Sequence, residues 1–252
     1  MDLLKLTGKR ALVTGSSRGI GRAAALTLAK LGAQVIFHGS KASPKLDSAV
    51  AEAGAGATSL VADFERAEEV AKLADALIRQ AAVPDILVVN ASVQSYTGLD
   101  NFDAGEFERM FRANVESSCI LLHKLLPEMR KKGSGRVIFV GSINGVRSAS
   151  RLAVYGATKA ALMNIARTAA KNNAAYGITV NTILPGVIET DRNAEALSDD
   201  AFASELRERI PMHRFGTVDD CAGAIAFLAS DAAGYITGAE IPVSGGWQLG
   251  GG

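Results

Sequence analysis

The chain has 252 residues, of which 48% are hydrophobic and 21% are charged, and its formal net charge is +1. This length fits one large α/β domain or two small ones, and the composition is that of an ordinary globular protein rather than a disordered one. A nearly neutral charge argues against a nucleic-acid-binding surface and gives no sign of an anionic membrane partner.

The cysteines and the N-terminal segment indicate the compartment. Cys119 and Cys221 are far apart and neither has a zinc-type Cys/His spacing around it, so we predict no metal site and a reducing, cytoplasmic setting. The first residues lack the apolar core of a signal peptide, and no segment approaches ~18 uninterrupted apolar residues. We therefore expect neither export nor a membrane span.

The first predicted strand, residues 10–14, runs into a glycine turn, and Ala and Leu then repeat at helical spacing over residues 22–31. Strand, turn and helix in this order supply the context that a glycine cluster needs. Gly15, Gly19 and Gly21 allow a tight turn and close approach of the backbone to a phosphate, while the helix start offers free N–H groups. The segment is predicted to bind a pyrophosphate; the alternative is that these glycines only make a turn.

Residues 34–38 are predicted to be the second strand, and the residues after it indicate which dinucleotide is bound. An acid at this place binds the ribose hydroxyl of NAD, whereas a basic residue accepts the 2′-phosphate of NADP. The chain has Ser40 and Lys41 here and no acid. Because Arg18 in the glycine turn can also reach the phosphate, NADP is the preferred cofactor and NAD the alternative. Lys41 is equally well explained as a solvated loop charge.

Two further strands are predicted at residues 58–62 and 85–89, and each is followed by a polar side chain. Asp63 ends the third strand, where its carboxylate either accepts hydrogen bonds from an adenine or a loop amide, or caps the following helix. Asn90 and Ala91 follow the fourth strand, and small residues suit a place where the backbone passes close to a ligand.

A long helical pattern over residues 103–132 contains Asn114, an unfavourable residue inside a helix unless its amide is used. One use is to open the backbone ladder and hold a water. The alternative is a core amide whose hydrogen bonds are made by a neighbouring turn.

The residues predicted to carry chemistry follow the fifth strand. Ser142 ends a buried β-branched run, and Tyr155 and Lys159 share one face of the next helix. An ammonium beside a phenol lowers its pKa from about 10, which makes tyrosine a usable general acid or base, and Ser142 is placed to hold a substrate oxygen. Taken alone, the pair is more simply a packed tyrosine with a lysine reaching water.

The remaining elements are a strand at residues 178–184, a loop over 185–190, a polar segment over 191–210 that suits a mobile helical lid, a helix at Val218–Ala229, and a strand at 238–243. No internal repeat and no linker divides the chain. Strands that alternate with helices predict one doubly wound parallel sheet of seven strands with helices on both faces, and a ligand site at the carboxyl ends of the strands.

Together these motifs resemble the short-chain dehydrogenase/reductase family, in its compact form and over essentially the whole chain. The residues that carry the resemblance are Thr14-Gly15-Ser16-Ser17-Arg18-Gly19-Ile20-Gly21, Asp63, Asn114, Ser142, Tyr155 with Lys159, and Pro185-Gly186 with Thr190. Two positions depart from the family pattern. Ser92 stands where glycine is usual, which affects the fit beside the nicotinamide ribose, and Ser244 stands where Asp is common.

The resemblance implies a Rossmann-type fold with residues 1–252 as a single dinucleotide-binding and catalytic domain and a lid at about residues 188–211. It implies hydride transfer between a nicotinamide and a small carbonyl or alcohol substrate, with NADPH-dependent ketone reduction favoured. Tyr155 would be the general acid in reduction and the base in oxidation, Lys159 would lower its pKa and bind the ribose, Ser142 would bind the substrate oxygen, and Asn114 would position a water that relays protons to Lys159. The implied cofactor contacts are Gly15, Ser17, Arg18, Gly19, Ile20, Gly21, Ser40, Asp63, Phe64, Asn90, Ala91, Tyr155, Lys159, Pro185, Gly186, Ile188 and Thr190.

The resemblance also implies a homotetramer built through the long helices after the fourth and fifth strands. Two other hypotheses are an NAD-dependent alcohol or sugar dehydrogenase and a dinucleotide-binding sensor without turnover. Substrate specificity is expected to reside in residues 94–99, 143–152 and 191–210. Arg147 and Arg151 in the second segment either attract an acidic substrate or, more simply, are solvated surface charges.

Overall fold

The computed structural model describes residues 3–249 of the chain, and its strands form one parallel sheet. The strands are β1 Arg10–Val13, β2 Gln34–Gly39, β3 Thr58–Val61, β4 Ile86–Val89, β5 Gly135–Val140, β6 Ile178–Pro185 and β7 Glu240–Val243. Their order in the sheet is β3-β2-β1-β4-β5-β6-β7, and every pairing is parallel. The predicted doubly wound, seven-stranded sheet is confirmed.

The helices cover both faces of the sheet. They are α1 Gly19–Lys30, α2 Pro44–Ala53, α3 Ala67–Arg79, α4 Ala104–Phe111, α5 Ser117–Lys132, α6 Ala153–Asn173, α7 Ala194–Leu197, α8 Asp200–Glu208 and α9 Val218–Ala229. Within residues 3–249, none of them combines the length and the apolar character that crossing a bilayer requires.

Two apolar cores lie on opposite faces of the sheet because successive strand side chains point to opposite sides. Ala11 and Val13 belong to the core that α1 and α9 cover, whereas Leu12 belongs to the core that α3, α5 and α6 cover. Strands that are buried on both faces read as continuous hydrophobic runs, as β1, β4 and β5 do. The strand order reverses between β1 and β4, and this reversal opens a crevice at their carboxyl ends.

The predicted helix over residues 103–132 is not uniform. It consists of α4, a π-helical turn at Arg112–Glu116, and α5, which continue one another. The π-turn widens the helix around Asn114, whose amide is bonded outside the helix as described below. In the predicted lid segment the chain forms the two short helices α7 and α8.

Candidate active site

A cleft of about 600 Å³ opens at the carboxyl ends of the strands. All seventeen residues predicted to contact the cofactor line this cleft, and so does Ser142. Asn114 is the exception among the predicted site residues, because it is fully buried and does not reach the cleft. The strand-end polar residues are therefore brought to one place, as the predicted sheet requires.

The glycine turn between β1 and α1 has the shape of an anion cradle. Gly15 and Gly19 have φ values of +64° and +57°, in the left-handed region that favours glycine. A Cβ atom on Gly21 would lie 2.3 Å from the Gly15 carbonyl oxygen. Helix α1 begins after Arg18, whose side chain caps none of its N–H groups, and its first turn has no acid. These features fit a dinucleotide pyrophosphate at the helix N-terminus.

His38 at the end of β2 holds the glycine turn in place. Its Nδ1 accepts the Gly15 N–H at 3.0 Å, and its Nε2 lies 3.0 Å from the Ala62 carbonyl oxygen, which fixes the neutral tautomer that carries its proton on Nε2. The ring is buried and stacks on Phe64 at a centroid distance of 4.2 Å. Burial lowers the pKa of His38 to about 4. A role for this histidine was not predicted from the sequence.

We expect the buried neutral His38 to make the fold acid-sensitive. Unfolded histidine takes up a proton near pH 6.5, but folded His38 does so only near pH 4, so stability is lost as pH falls through this window. Urea unfolding should show the wild type losing about 2 kcal/mol more than a His38→Asn variant between pH 7 and pH 5. The control is His123→Asn at an exposed position of α5, which should behave as the wild type does. Equal pH dependence in wild type and His38→Asn would contradict this prediction.

Asn90 and Asp63 both have structural partners in addition to facing the cleft. The Asn90 amide nitrogen donates to the carbonyl oxygens of Thr14 and Gly15, at 2.8 and 3.0 Å, and so joins the end of β4 to the glycine turn. Asp63 Oδ1 accepts the Glu65 N–H at 3.0 Å. Asp63 therefore accepts a hydrogen bond from a loop amide, which was one of the predicted alternatives. It does not cap the following helix, because α3 starts only at Ala67 with Arg66 as its N-cap.

The residues predicted to select NADP are only partly brought together. Arg18 and Ser40 line the cleft beside His38 and Gly39. Lys41 is exposed and does not line it, so the interpretation of Lys41 as a solvated loop charge is the one that the structure supports.

Tyr155, Ser142 and Lys159 meet where β5 and α6 approach one another. Ser142 follows β5, and its hydroxyl accepts the Asn144 N–H at 3.1 Å. Lys159 is 2% exposed, its Nζ donates to the Val140 carbonyl oxygen at 2.9 Å, and the same atom lies 5.6 Å from the centroid of the Tyr155 ring. The phenol, the hydroxyl and the ammonium thus lie within one buried corner of the cleft.

The electrostatics of this corner differ from the prediction. Burial raises the pKa of Tyr155, and the groups that oppose the rise are Arg192 and the Ser142 hydroxyl, not Lys159. Lys159 does not act as the expected counter-charge because burial, together with the Arg192 charge, lowers its own pKa to about 7. At neutral pH the Tyr155 phenol is therefore protonated, which suits a proton donor.

Asn114 does not line the cleft itself and is connected to it by hydrogen bonds to other residues. Its Oδ1 accepts the Val93 N–H at 2.8 Å, and its Nδ2 donates to the Val93 carbonyl oxygen at 2.9 Å and to Thr158 Oγ1 at 3.1 Å. The Thr158 hydroxyl in turn donates to the Tyr155 carbonyl oxygen at 2.7 Å. Asn114 thus links the loop after β4 to the Tyr155 turn of α6. Its predicted water relay stays a prediction.

Arg192 is a residue of the cleft that the sequence did not single out. It lies in the lid segment, and its Nη2 donates to the Ser92 carbonyl oxygen at 2.7 Å. The two arginines that were considered for substrate binding lie elsewhere. Arg147 is half-buried with its guanidinium 4.8 Å from the Trp247 ring centroid, and Arg151 is exposed with its guanidinium 5.2 Å from that of Tyr96. Neither lines the cleft.

A parallel doubly wound sheet, a glycine cradle at its switch point and a buried tyrosine acid in the same cleft define a dinucleotide-dependent oxidoreductase. Residues 15–248 match the sequence model of a family described as Enoyl-(Acyl carrier protein) reductase. The chain is 38% identical to the 3-oxoacyl-[acyl-carrier-protein] reductase FabG of Escherichia coli K12, over 98% of this chain and 100% of the relative.

Solved structures agree with the sequence match. The 3-oxoacyl (acyl-carrier-protein) reductase of Agrobacterium tumefaciens C58 with NADP bound superposes with a TM-score of 0.91 at 36% identity, covering 96% of this chain and 95% of that one. The gluconate 5-dehydrogenase of Burkholderia cenocepacia J2315 in complex with NADP and tartrate gives a TM-score of 0.92 at 31% identity, covering 98% of each chain. The chain therefore belongs to the short-chain dehydrogenase/reductase family of NAD(P)-dependent oxidoreductases.

Proposed function

We propose that the protein is an NADPH-dependent reductase of small ketones, with residues 1–252 as one catalytic domain. The observation that carries this proposal is the buried Tyr155 phenol, whose pKa is raised by burial, in the same cleft as the Ser142 hydroxyl and the pyrophosphate cradle. The bound dinucleotide would supply the hydride. Reduction of a carbonyl also requires a proton, and Tyr155 is the group that holds one at neutral pH.

Each residue of the corner has a role in this proposal. Ser142 donates a hydrogen bond to the substrate carbonyl oxygen and so orients it towards Tyr155. Tyr155 gives its phenolic proton to that oxygen as the alkoxide forms. Lys159, held by the Val140 carbonyl, binds the cofactor ribose and returns a proton to the phenolate. Asn114 positions Tyr155 through Thr158. In this proposal it also positions the water that relays protons to Lys159.

The proposed cofactor contacts are the seventeen residues predicted from the sequence, all of which line the cleft. NADP is favoured over NAD because the end of β2 offers Ser40 and no acid, with Arg18 beside it, and because NADP is bound in the Agrobacterium reductase. Ile188 is 2% exposed and Thr190 half-buried in the loop after β6, where they are proposed to contact the nicotinamide.

We expect Arg18→Ala to weaken NADPH binding about tenfold, or about 1.4 kcal/mol, because the 2′-phosphate loses its cationic partner. NADH binding should change by less than about twofold, since NADH has no such phosphate. Fluorescence titration with both dinucleotides measures this. The matched control is Arg22→Ala on the same helix, whose guanidinium pairs with Glu52 away from the cleft. An equal loss for NADPH and NADH would contradict the assignment of Arg18 to the 2′-phosphate.

The reaction itself is tested by NADPH and NADH oxidation against ketones, ketoacyl thioesters, sugars and quinones. Turnover with NADPH that exceeds turnover with NADH supports the proposal. Preferential oxidation of alcohols or sugars with NAD would favour the alternative dehydrogenase. Tight dinucleotide binding without turnover would favour the sensor hypothesis.

The protein is further proposed to act in the cytoplasm as a homotetramer assembled through α4 with α5 and through α6. Support for the assembly comes from apolar surface beside α4, where Phe102 and Phe107 are 55% and 37% exposed. Burial of such side chains against a second copy removes apolar area from water.

A further inference from the structure

The substrate end of the cleft contains a guanidinium that none of these roles uses. Arg192 lies two residues after Thr190, at the start of the lid segment, and reaches the loop after β4. Besides the 2.7 Å hydrogen bond to the Ser92 carbonyl, both of its terminal nitrogens lie 3.4 Å from the Ser92 hydroxyl oxygen. Ser92 thus holds the guanidinium across the mouth of the cleft, at the position where the family pattern has glycine.

Arg192 shares the cleft with the reacting phenol. Arg192, Tyr155 and Lys159 line the same cleft, and the charge of Arg192 lowers the pKa of both Tyr155 and Lys159. The Ser142 hydroxyl, the proposed partner of the substrate oxygen, also lowers the pKa of Tyr155 through a hydrogen bond. A substrate whose carbonyl lies between Ser142 and Tyr155 therefore has a cation beside it.

No acid in the described part of the cleft neutralises this cation. Of the residues that the structure describes, three carboxylates line the cleft, and each has a partner of its own: Asp63 accepts the Glu65 N–H, Glu65 pairs with Arg109 at 3.1 Å, and Asp191 pairs with Lys45 at 2.7 Å. Among the described residues, Arg192 therefore has hydrogen-bond partners on Ser92 but no carboxylate partner. A ligand without a negative group would desolvate the guanidinium there without compensation.

We infer that Arg192 is a substrate-binding residue and that the substrate is a small keto acid with its carboxylate one or two carbons from the reacting carbonyl. This inference rests on the proposed function, since it names the substrate class of the same site. A guanidinium has five N–H donors in a planar fork that matches a carboxylate, and Ser92 accepts at most three of them, one through its carbonyl and two through its hydroxyl oxygen. The remaining donors hold the carboxylate while Ser142 and Tyr155 take the carbonyl oxygen.

The test compares acids with their neutral esters in three proteins. The probes are pyruvate against methyl pyruvate and acetoacetate against methyl acetoacetate, which place the carboxyl group one and two carbons from the carbonyl. The proteins are the wild type, Arg192→Gln, and Arg209→Gln as the matched control. Arg209 follows α8 in the same lid segment, pairs with Glu205 at 2.6 Å, and does not line the cleft. Binding is measured by calorimetry with the NADP⁺-loaded protein and repeated with the free protein.

We expect the wild type and Arg209→Gln to bind at least one acid tenfold or more tightly than its ester. Arg192→Gln should lose about 100-fold in affinity for that acid and leave the ester and NADPH affinities unchanged. The affinity of Arg192→Lys for the acid should lie between those of the wild type and Arg192→Gln, because lysine keeps the charge but not the planar fork of donors. The corresponding readout in turnover is a rise in KM for the acid that exceeds the change in kcat.

Two results would overturn the inference. One is equal binding of acid and ester by the wild type for both pairs. The other is a loss of NADPH affinity in Arg192→Gln with no change in the acid-to-ester ratio, which would assign Arg192 to the dinucleotide. Failure of the proposed function gives a different result, namely no dinucleotide binding or no turnover in the wild type. In that case the ratio of acid affinity to ester affinity, measured on the free protein, still decides the role of Arg192.

Discussion

Tyr155→Phe is expected to lower kcat for NADPH-dependent ketone reduction by about 1,000-fold, within the range that general acid catalysis contributes. The change removes one oxygen atom, and with it the phenolic proton that Tyr155 gives to the substrate oxygen. Lys159 is fixed to the Val140 carbonyl and Ser142 bears a hydroxyl that stays protonated, so neither replaces the phenol as the acid.

Binding and folding should survive this substitution. The Tyr155 ring packs against Met110 and Val154, and phenylalanine keeps those contacts. We therefore expect NADPH affinity within about twofold of the wild type and a nearly unchanged Tm. Tyr235→Phe makes the same chemical change at a fully exposed residue and serves as the control. A Tyr155→Phe enzyme that keeps a tenth of the wild-type kcat would rule out Tyr155 as the general acid.

Gly21→Ala is expected to destabilise the protein by about 3 kcal/mol, the upper part of the range for overpacking. The added Cβ would lie 2.3 Å from the Gly15 carbonyl oxygen and 2.4 Å from the Asn90 amide nitrogen. Both atoms belong to the hydrogen bond that ties β4 to the glycine turn, so relief of the clash must move the turn. Dinucleotide affinity should fall together with stability, by about 100-fold, because the N–H groups that face the pyrophosphate move as well.

A second helical glycine provides the matched comparison. Gly223 in α9 has no atom within 4 Å of the Cβ that alanine would add and no positive φ. Gly223→Ala should therefore stabilise the protein by about 0.5–1 kcal/mol, the usual gain for alanine over glycine inside a helix. Thermal unfolding and NADPH titration of both variants measure the contrast. A Gly21→Ala protein with wild-type Tm and affinity would show that the turn has more room than the distances give it.

The parts of the fold that the sequence predicted are those with a local signal. The inner strands β4, β5 and β6 are buried on both faces and so read as hydrophobic runs, whereas the edge strands β3 and β7 are partly exposed. The alternation of strands with helices predicted the parallel, doubly wound sheet. The glycine turn and the Tyr155 helix were identifiable because the required residue types stand at fixed spacing within one element. The start of a helix is less well determined by the sequence: α3 begins only at Ala67, after the turn in which Asp63 accepts the Glu65 N–H.

The contacts that the sequence did not predict join distant segments. Ser92 and Arg192 are 100 residues apart, and nothing local in either segment indicates that they meet. The role of His38 depends on how deeply the sheet buries it, because an exposed histidine at the same place would not hold the Gly15 N–H in a fixed neutral tautomer. The pKa of Lys159 is another case: spacing put the ammonium near the phenol, but burial decides how much of its charge remains.

The all-parallel pairing of the sheet has a consequence for the order of folding. β1 is synthesised early, yet one of its two neighbours is β4, with Ala11 paired to Ile86. Until β4 arrives, one edge of β1 is unpaired and the glycine turn lacks the Asn90 amide that joins it to the next strand. Because each strand must await a crossover before it pairs, every strand pairing joins segments that are distant in the sequence, and the chain is expected to fold more slowly than a helical bundle of equal length. A nascent chain that stops short of β4 exposes a bare strand edge, the kind of surface on which chains aggregate and chaperones act.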